Sequence, residues 1–161
     1  MPRARRVVSG IILVALGLAV ALIPLQASSR SMGTRNQEAN AEPIPAYHAS
    51  PPVGPLPATL SPSLFTDPLV QNAYRLAARI KKILYQEPCY CHCDRSEGHG
   101  SLLDCYAGKH AAECGTCIRE GLYSYEQARK GKSAAQIREG IERGDWQHVN
   151  ITKYESPSRA K

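Results

Sequence analysis

The chain has 161 residues, with 20 Lys+Arg against 14 Asp+Glu, a formal net charge of +6 and an aromatic content of 6%. That length allows one ordinary domain, and the scarcity of aromatics excludes a large aromatic core. The position of the charge excludes nucleic acid as a partner. Arg3, Arg5 and Arg6 at the start and Lys153, Arg159 and Lys161 at the end carry most of the excess, while residues 66–148 hold 12 bases against 11 acids; a nucleic-acid binder concentrates its bases on the folded part.

The three arginines precede an uncharged run from Val7 to Leu25, close to the ~20 residues a helix needs to cross a bilayer. Residues 1–26 therefore read as a signal anchor or a signal peptide. Leu25-Gln26-Ala27 is a poor small-x-small cleavage match, and the run is longer than a usual signal core, which favours the anchor. The basic flank stays in the cytoplasm under the positive-inside rule. This predicts a single-pass protein of the cell membrane, held through its N-terminal helix with the C-terminal domain outside the cytoplasm. If the signal is cleaved, the protein is secreted. A protein partner in the envelope fits either topology.

Residues 27–65 are rich in Ser and Pro, with Pro43, Pro45, Pro51, Pro52, Pro55, Pro57 and Pro62 in one stretch. Such a segment holds neither a helix nor a central strand, and reads as a disordered, extended linker. Asp67-Pro68 is a helix start, a capping residue followed by proline at the first helical position. Leu69, Ala73, Leu76, Ala77, Ile80, Ile83 and Leu84 then recur at spacings of three and four up to Pro88, which predicts one amphipathic helix. Residues 88–112 have no clear period and carry Gly98, Gly100 and Gly108, as irregular backbone does. A second helix is expected from between His110 and Glu113 to Lys130, with Gly131 as its stop. Ser133 and Gln136 form a capping box for a short third helix anchored by Ile137 and Ile141 and ending near Gly144. Residues 149–161 read as a flexible tail. The expected fold is mainly α, a small three-helix domain over 66–148 around an irregular cysteine-rich segment. Hydrophobic burial alone leaves a unit of ~80 residues marginal.

All six cysteines, Cys89, Cys91, Cys93, Cys105, Cys114 and Cys117, fall in that segment. Three readings are open. An even count outside the cytoplasm suggests disulfides, although alternate residues of an extended chain point to opposite sides, so the first three cysteines would each pair with one of the last three. A turn that curls C-x-C-x-C around a point instead brings several thiolates together, and C-x-x-C in the first turn of a helix puts two sulfurs on one face with lowered pKa. Soft thiolates select copper(I) or zinc, and His99, between two glycines, adds a donor. His92 and His110 lie in the same window and read more as loop residues. Finally, Cys114-Gly115-Thr116-Cys117 is similar to a thiol-disulfide redox pair, but no βαβ pattern surrounds it. No phosphate loop, H-E-x-x-H or G-x-S-x-G is present.

Pro88-Cys89-Tyr90-Cys91-His92-Cys93 resembles the signature of the bacterial PCYCGC-motif proteins. The likeness continues through Gly98-His99, Asp104-Cys105, Cys114-Gly115-x-Cys117 and the helix Ser133 to Ile141, covering roughly residues 66–146. It implies a small extracytoplasmic, secreted or membrane-anchored protein, and no reaction. The sequence departs from the signature at His92, where the motif has Gly. Either the histidine adds a donor, or a glycine conformation is not obligatory there.

Overall fold

Asp67 and Pro68 begin the first helix as expected: the Asp67 carboxylate accepts the Leu69 N–H at 2.8 Å. The computed structural model describes residues 42–156. The apolar N-terminal run, residues 27–41 of the expected linker and the last five residues lie outside the described residues. Among the described residues no helix is long and apolar enough to cross a membrane, and no strand is present.

Seven α-helices follow in order: α1 Pro68–Ala77, α2 Lys81–Leu84, α3 Cys93–Ser96, α4 Leu102–Ala107, α5 His110–Glu113, α6 Gly115–Arg129 and α7 Ala134–Glu142. The three-helix expectation is thus right in class and too coarse in detail. The helix expected to run unbroken to Pro88 divides at Ala78–Ile80, where Ile80 leaves helical geometry (φ −125°, ψ 27°). The apolar spacing continues across the break, so the pattern alone did not reveal it. Beyond it α2 carries Leu84 into the core and delivers Glu87 and Pro88, all fully buried. The second expected helix divides at Cys114, which is extended (φ −126°, ψ 110°). The third forms as read, with the Ser133–Gln136 capping box in place.

The flanks depart further from expectation. Residues 42–65 are not a free linker, because the part described lies against the helices. Leu60 N–H donates to the Tyr106 carbonyl at 2.9 Å, Lys81 Nζ donates to the Pro57 carbonyl at 3.1 Å, and Pro45 is fully buried. Proline forbids a helix or an inner strand, but not the laying of an extended chain across a preformed surface. The region after Val149 is likewise anchored. Asn72 Nδ2 donates to the carbonyls of Tyr154 (2.6 Å) and Ser156 (2.9 Å), and Tyr154 donates its hydroxyl to Glu126 at 2.9 Å.

The core compensates for few large side chains with a file of aromatic rings. Phe65, Tyr74 and Tyr106 pack in sequence, the first pair tilted and the second edge-on, with centroids 4.4 and 5.0 Å apart. The two buried tyrosines are paired through their hydroxyls: Tyr74 donates to the Gly108 carbonyl at 2.8 Å and accepts from Ala112 N–H, and Tyr106 donates to the Cys117 carbonyl at 2.8 Å. Gly121 makes the second contact possible, since a Cβ there would overlap the Tyr106 hydroxyl and ring. Gly121→Ala is expected to destabilise the fold by about 1–3 kcal/mol through overpacking. Gly108→Ala, where no atom lies within 4 Å of an added Cβ, should stay within about 0.5 kcal/mol of the parent. Chemical denaturation of the two variants checks this, and equal stabilities would show that the Tyr106 contact does not depend on Gly121.

Candidate metal centre

The C-x-C-x-C segment is a tight turn. His92 N–H donates to the Cys89 carbonyl at 3.1 Å, and His92 itself sits in the left-handed region at φ 58° and ψ 33°, immediately before α3. This turn removes the objection that alternate residues point apart. The Cys89, Cys91 and Cys93 sulfurs converge, each within 4.8 Å of the others. A buried carboxyl fixes the turn to α6: Glu120 Oε1 accepts the Tyr90 N–H at 2.9 Å. From the other side the Leu102 N–H donates to the Glu87 carbonyl at 2.9 Å, which sets α4 beside the turn.

The remaining cysteines and His110 arrive from three elements. Cys105 projects from α4, His110 opens α5, Cys114 caps α6 and Cys117 lies in its first turn. Cys89 Sγ is 3.3 Å from Cys91 Sγ and 3.4 Å from Cys117 Sγ, and Cys91 and Cys117 are 3.6 Å apart. Cys93 and Cys105 sulfurs are 3.4 Å apart, and His99 Nδ1 is 3.4 Å from Cys105 Sγ. His110 Nε2 is 3.5 Å from Cys91 Sγ. None of the six cysteines is in a disulfide. Sulfurs bound to one tetrahedral zinc at ~2.3 Å would stand about 3.7 Å apart, so these spacings fall just inside that range. Cys89, Cys93, Cys105 and Cys117 are buried and form the floor, while Cys91, Cys114, His99 and His110 are half-buried at the rim.

All seven residues expected as ligands therefore lie in one cluster. His110, which the sequence favoured less, joins it in two donor groups: one with Cys91, Cys114 and Cys117, the other with Cys93, His99 and Cys105. Its signal was the spacing His110, Cys114, Cys117, which shares a helix face; the break at Cys114 alters the path but keeps the three together. His92 does not join. Its Nε2 meets Glu42 at 3.1 Å, and its ring lies edge-on to Tyr90 at 6.0 Å. The departure from the PCYCGC signature thus adds no donor, and the left-handed turn is kept with a histidine in it.

The electrostatics of the thiols are divided. Hydrogen bonding from Cys89 holds the Cys91 thiol well below its ordinary pKa, against the opposing effect of burial, and His110 adds to it. Cys105 is lowered in the same way, by Cys117 and then Cys89, with His99 contributing. Their partners Cys89 and Cys117 are pushed up, chiefly by the hydrogen bonds they give to Cys105. Within the cluster Cys91 and Cys105 are thus shifted toward the thiolate, and Cys89 and Cys117 toward the thiol. Cys91 in turn raises His110. Burial pushes the Glu120 and Glu87 carboxyls up to about 8, so near neutral pH both stay largely protonated and add little negative charge beside the sulfurs.

A strap of residues 42–48 closes over one side of the floor. Ala46 N–H donates to Asp94 Oδ2 at 3.2 Å, His48 stacks on Tyr85 at 3.9 Å, and Arg138 lies over the Tyr47 ring at 4.5 Å. Pro45 and Ala46 line a small crevice with Cys89, Cys93 and His99.

A family described as protein of unknown function with PCYCGC motif matches residues 53–149, more than half of the chain and reaching further toward the N-terminus than the cysteine motif alone suggested. No curated protein and no solved structure matches the chain. The strap lies outside the matched segment. His92→Gly, which restores the signature residue, should leave metal uptake unchanged and raise the stability of the metal-free chain by about 1 kcal/mol, the approximate cost of a left-handed non-glycine residue. Metal uptake and thermal melting of the variant measure this; lost uptake would place His92 among the ligands.

Proposed function

The chain belongs to the family of proteins of unknown function with a PCYCGC motif, and on the geometry of its thiols we propose that it binds a soft metal ion, copper(I) or zinc, through clustered thiolates and imidazole. One observation carries this reading: Cys89, Cys91 and Cys117 form a triangle of sulfurs with sides of 3.3, 3.4 and 3.6 Å. Disulfides join sulfurs in pairs, and no pairing accounts for a sulfur that faces two others equally. Ligation does, because an ion draws several donors toward one point. Two imidazole nitrogens at 3.4 and 3.5 Å from sulfur add donors that a disulfide framework has no use for. The shift of Cys91 and Cys105 toward the thiolate suits the same purpose, because the thiolate is the ligand.

Where the protein works is part of the proposal. The basic flank and apolar run of residues 1–26 support a membrane tether that holds the domain outside the cytoplasm, where it would take up or hand on the ion with an envelope protein as partner.

A second reading has support of its own. Cys93 and Cys105 face each other at 3.4 Å, and Cys89 lies beside Cys117, so an oxidised form could join the first three cysteines to the last three and serve as a stapled interaction module. A redox role for Cys114 and Cys117 is less well supported, since Cys117 is fully buried and reactive thiols need access.

The full-length chain, purified in mild detergent under anaerobic conditions without added reductant, distinguishes these readings. Native mass spectrometry with thiol counting is expected to show bound zinc or copper and six cysteines protected until denaturation, with metal binding weakened in Cys117→Ser. A chain six hydrogens lighter, without metal and without free thiols, would overturn the metal reading.

A further inference from the structure

The cluster contains more donors than one ion can use. Six sulfurs and two imidazoles face one another, whereas a tetrahedral soft-metal site takes four ligands. These donors sort into two sets with no member in common. Cys93, His99 and Cys105 come from the start of α3, the loop after it and α4; Cys91, Cys114 and Cys117 come from the turn and the start of α6. Within each set the ligand atoms lie within 4.8 Å of one another, and His110 is within that distance of both. Cys89 lies between them. Its sulfur is 3.3 Å from Cys91 and 3.4 Å from Cys117 on one side, and within 4.8 Å of Cys93 and Cys105 on the other.

Resting on the metal-binding reading above, we infer that the site holds two ions rather than one, with the Cys89 thiolate shared between them. One ion takes Cys93, His99, Cys105 and Cys89. The other takes Cys91, Cys114, Cys117 and Cys89, with His110 beside it.

The arrangement of the surplus donors supports the second ion. A single ion among Cys91, His110, Cys114 and Cys117 would leave Cys93 and Cys105 as spectators. Buried spectator cysteines behave as small apolar side chains and have no need to aim at each other and at an imidazole. Yet Cys105 Sγ meets both Cys93 Sγ and His99 Nδ1 at 3.4 Å. A bridging position also explains why Cys89 sits in the middle, 3% exposed, while Cys114 and His99 belong to different donor groups.

The experiment is a titration of the reduced full-length chain in detergent with zinc(II) and, in a separate sample, with copper(I), followed by native mass spectrometry and a competing chelator. Two zinc ions per chain are expected. Cys114→Ser and His99→Ala are rim variants chosen because neither removes a buried side chain. Each should weaken one ion at least ten-fold and leave the other unchanged, and their effects should be independent in the double variant. Cys89→Ser should weaken both ions. One zinc ion in the parent chain, with Cys114→Ser and His99→Ala acting on that same ion, would overturn the two-ion site and leave the metal reading standing. No zinc and no copper(I) bound would overturn both.

Discussion

A single hydrogen bond sets the geometry on which the site depends. The Tyr106 hydroxyl, fully buried, donates to the backbone carbonyl of Cys117 at 2.8 Å. Tyr106 follows Cys105 in α4, and Cys117 lies in the first turn of α6, so this bond locks together two of the helices that carry floor sulfurs. It is possible because Gly121 leaves room for the ring one turn along α6, and because Tyr74 packs edge-on behind it at 5.0 Å. An apolar side chain of similar size would fill the space but lose this hydrogen bond, at a cost of about 0.5–1.5 kcal/mol. The polar and the packing roles of Tyr106 are therefore one device.

Against that fixed wall the C-x-C-x-C turn is placed by backbone rather than by side-chain packing. Glu120 accepts the Tyr90 N–H, the Glu87 carbonyl accepts the Leu102 N–H, and Pro88 stiffens the entry. The left-handed residue His92 closes the turn and directs Cys93 into α3. Two carboxyls with pKa raised by burial border this region. Their near-neutrality limits repulsion of thiolate charge, which suits a site whose ligands must lose protons on binding a cation.

Much of this was legible in the sequence and some of it was not, for separable reasons. Helix starts were legible because Asp67-Pro68 and Ser133-x-x-Gln136 are local codes whose hydrogen bonds involve neighbours. The breaks at Ala78–Ile80 and Cys114 were not, because the apolar spacing continues across both and tertiary contacts decide where the axis turns. The six cysteines and His99 were legible as one cluster from their confinement to a short segment. His110 was underweighted, although it shares a helix spacing with Cys114 and Cys117. Glu120 was illegible as a site residue, and so was the bond from Tyr106 to the Cys117 carbonyl, since a buried carboxyl and a tyrosine hydroxyl each serve a backbone group distant in sequence. The packing of residues 42–65 and 149–156 was missed because composition reports what a segment cannot form, not which surface it can lie on.

The central claim is that the thiols converge on metal rather than on one another. X-ray absorption at the metal edge of the anaerobically loaded full-length chain tests it most directly. The account predicts a first shell dominated by sulfur at about 2.3 Å, with a nitrogen contribution near 2.0–2.1 Å for zinc. A shell of oxygen and nitrogen alone, from an ion held elsewhere on the chain, would contradict it.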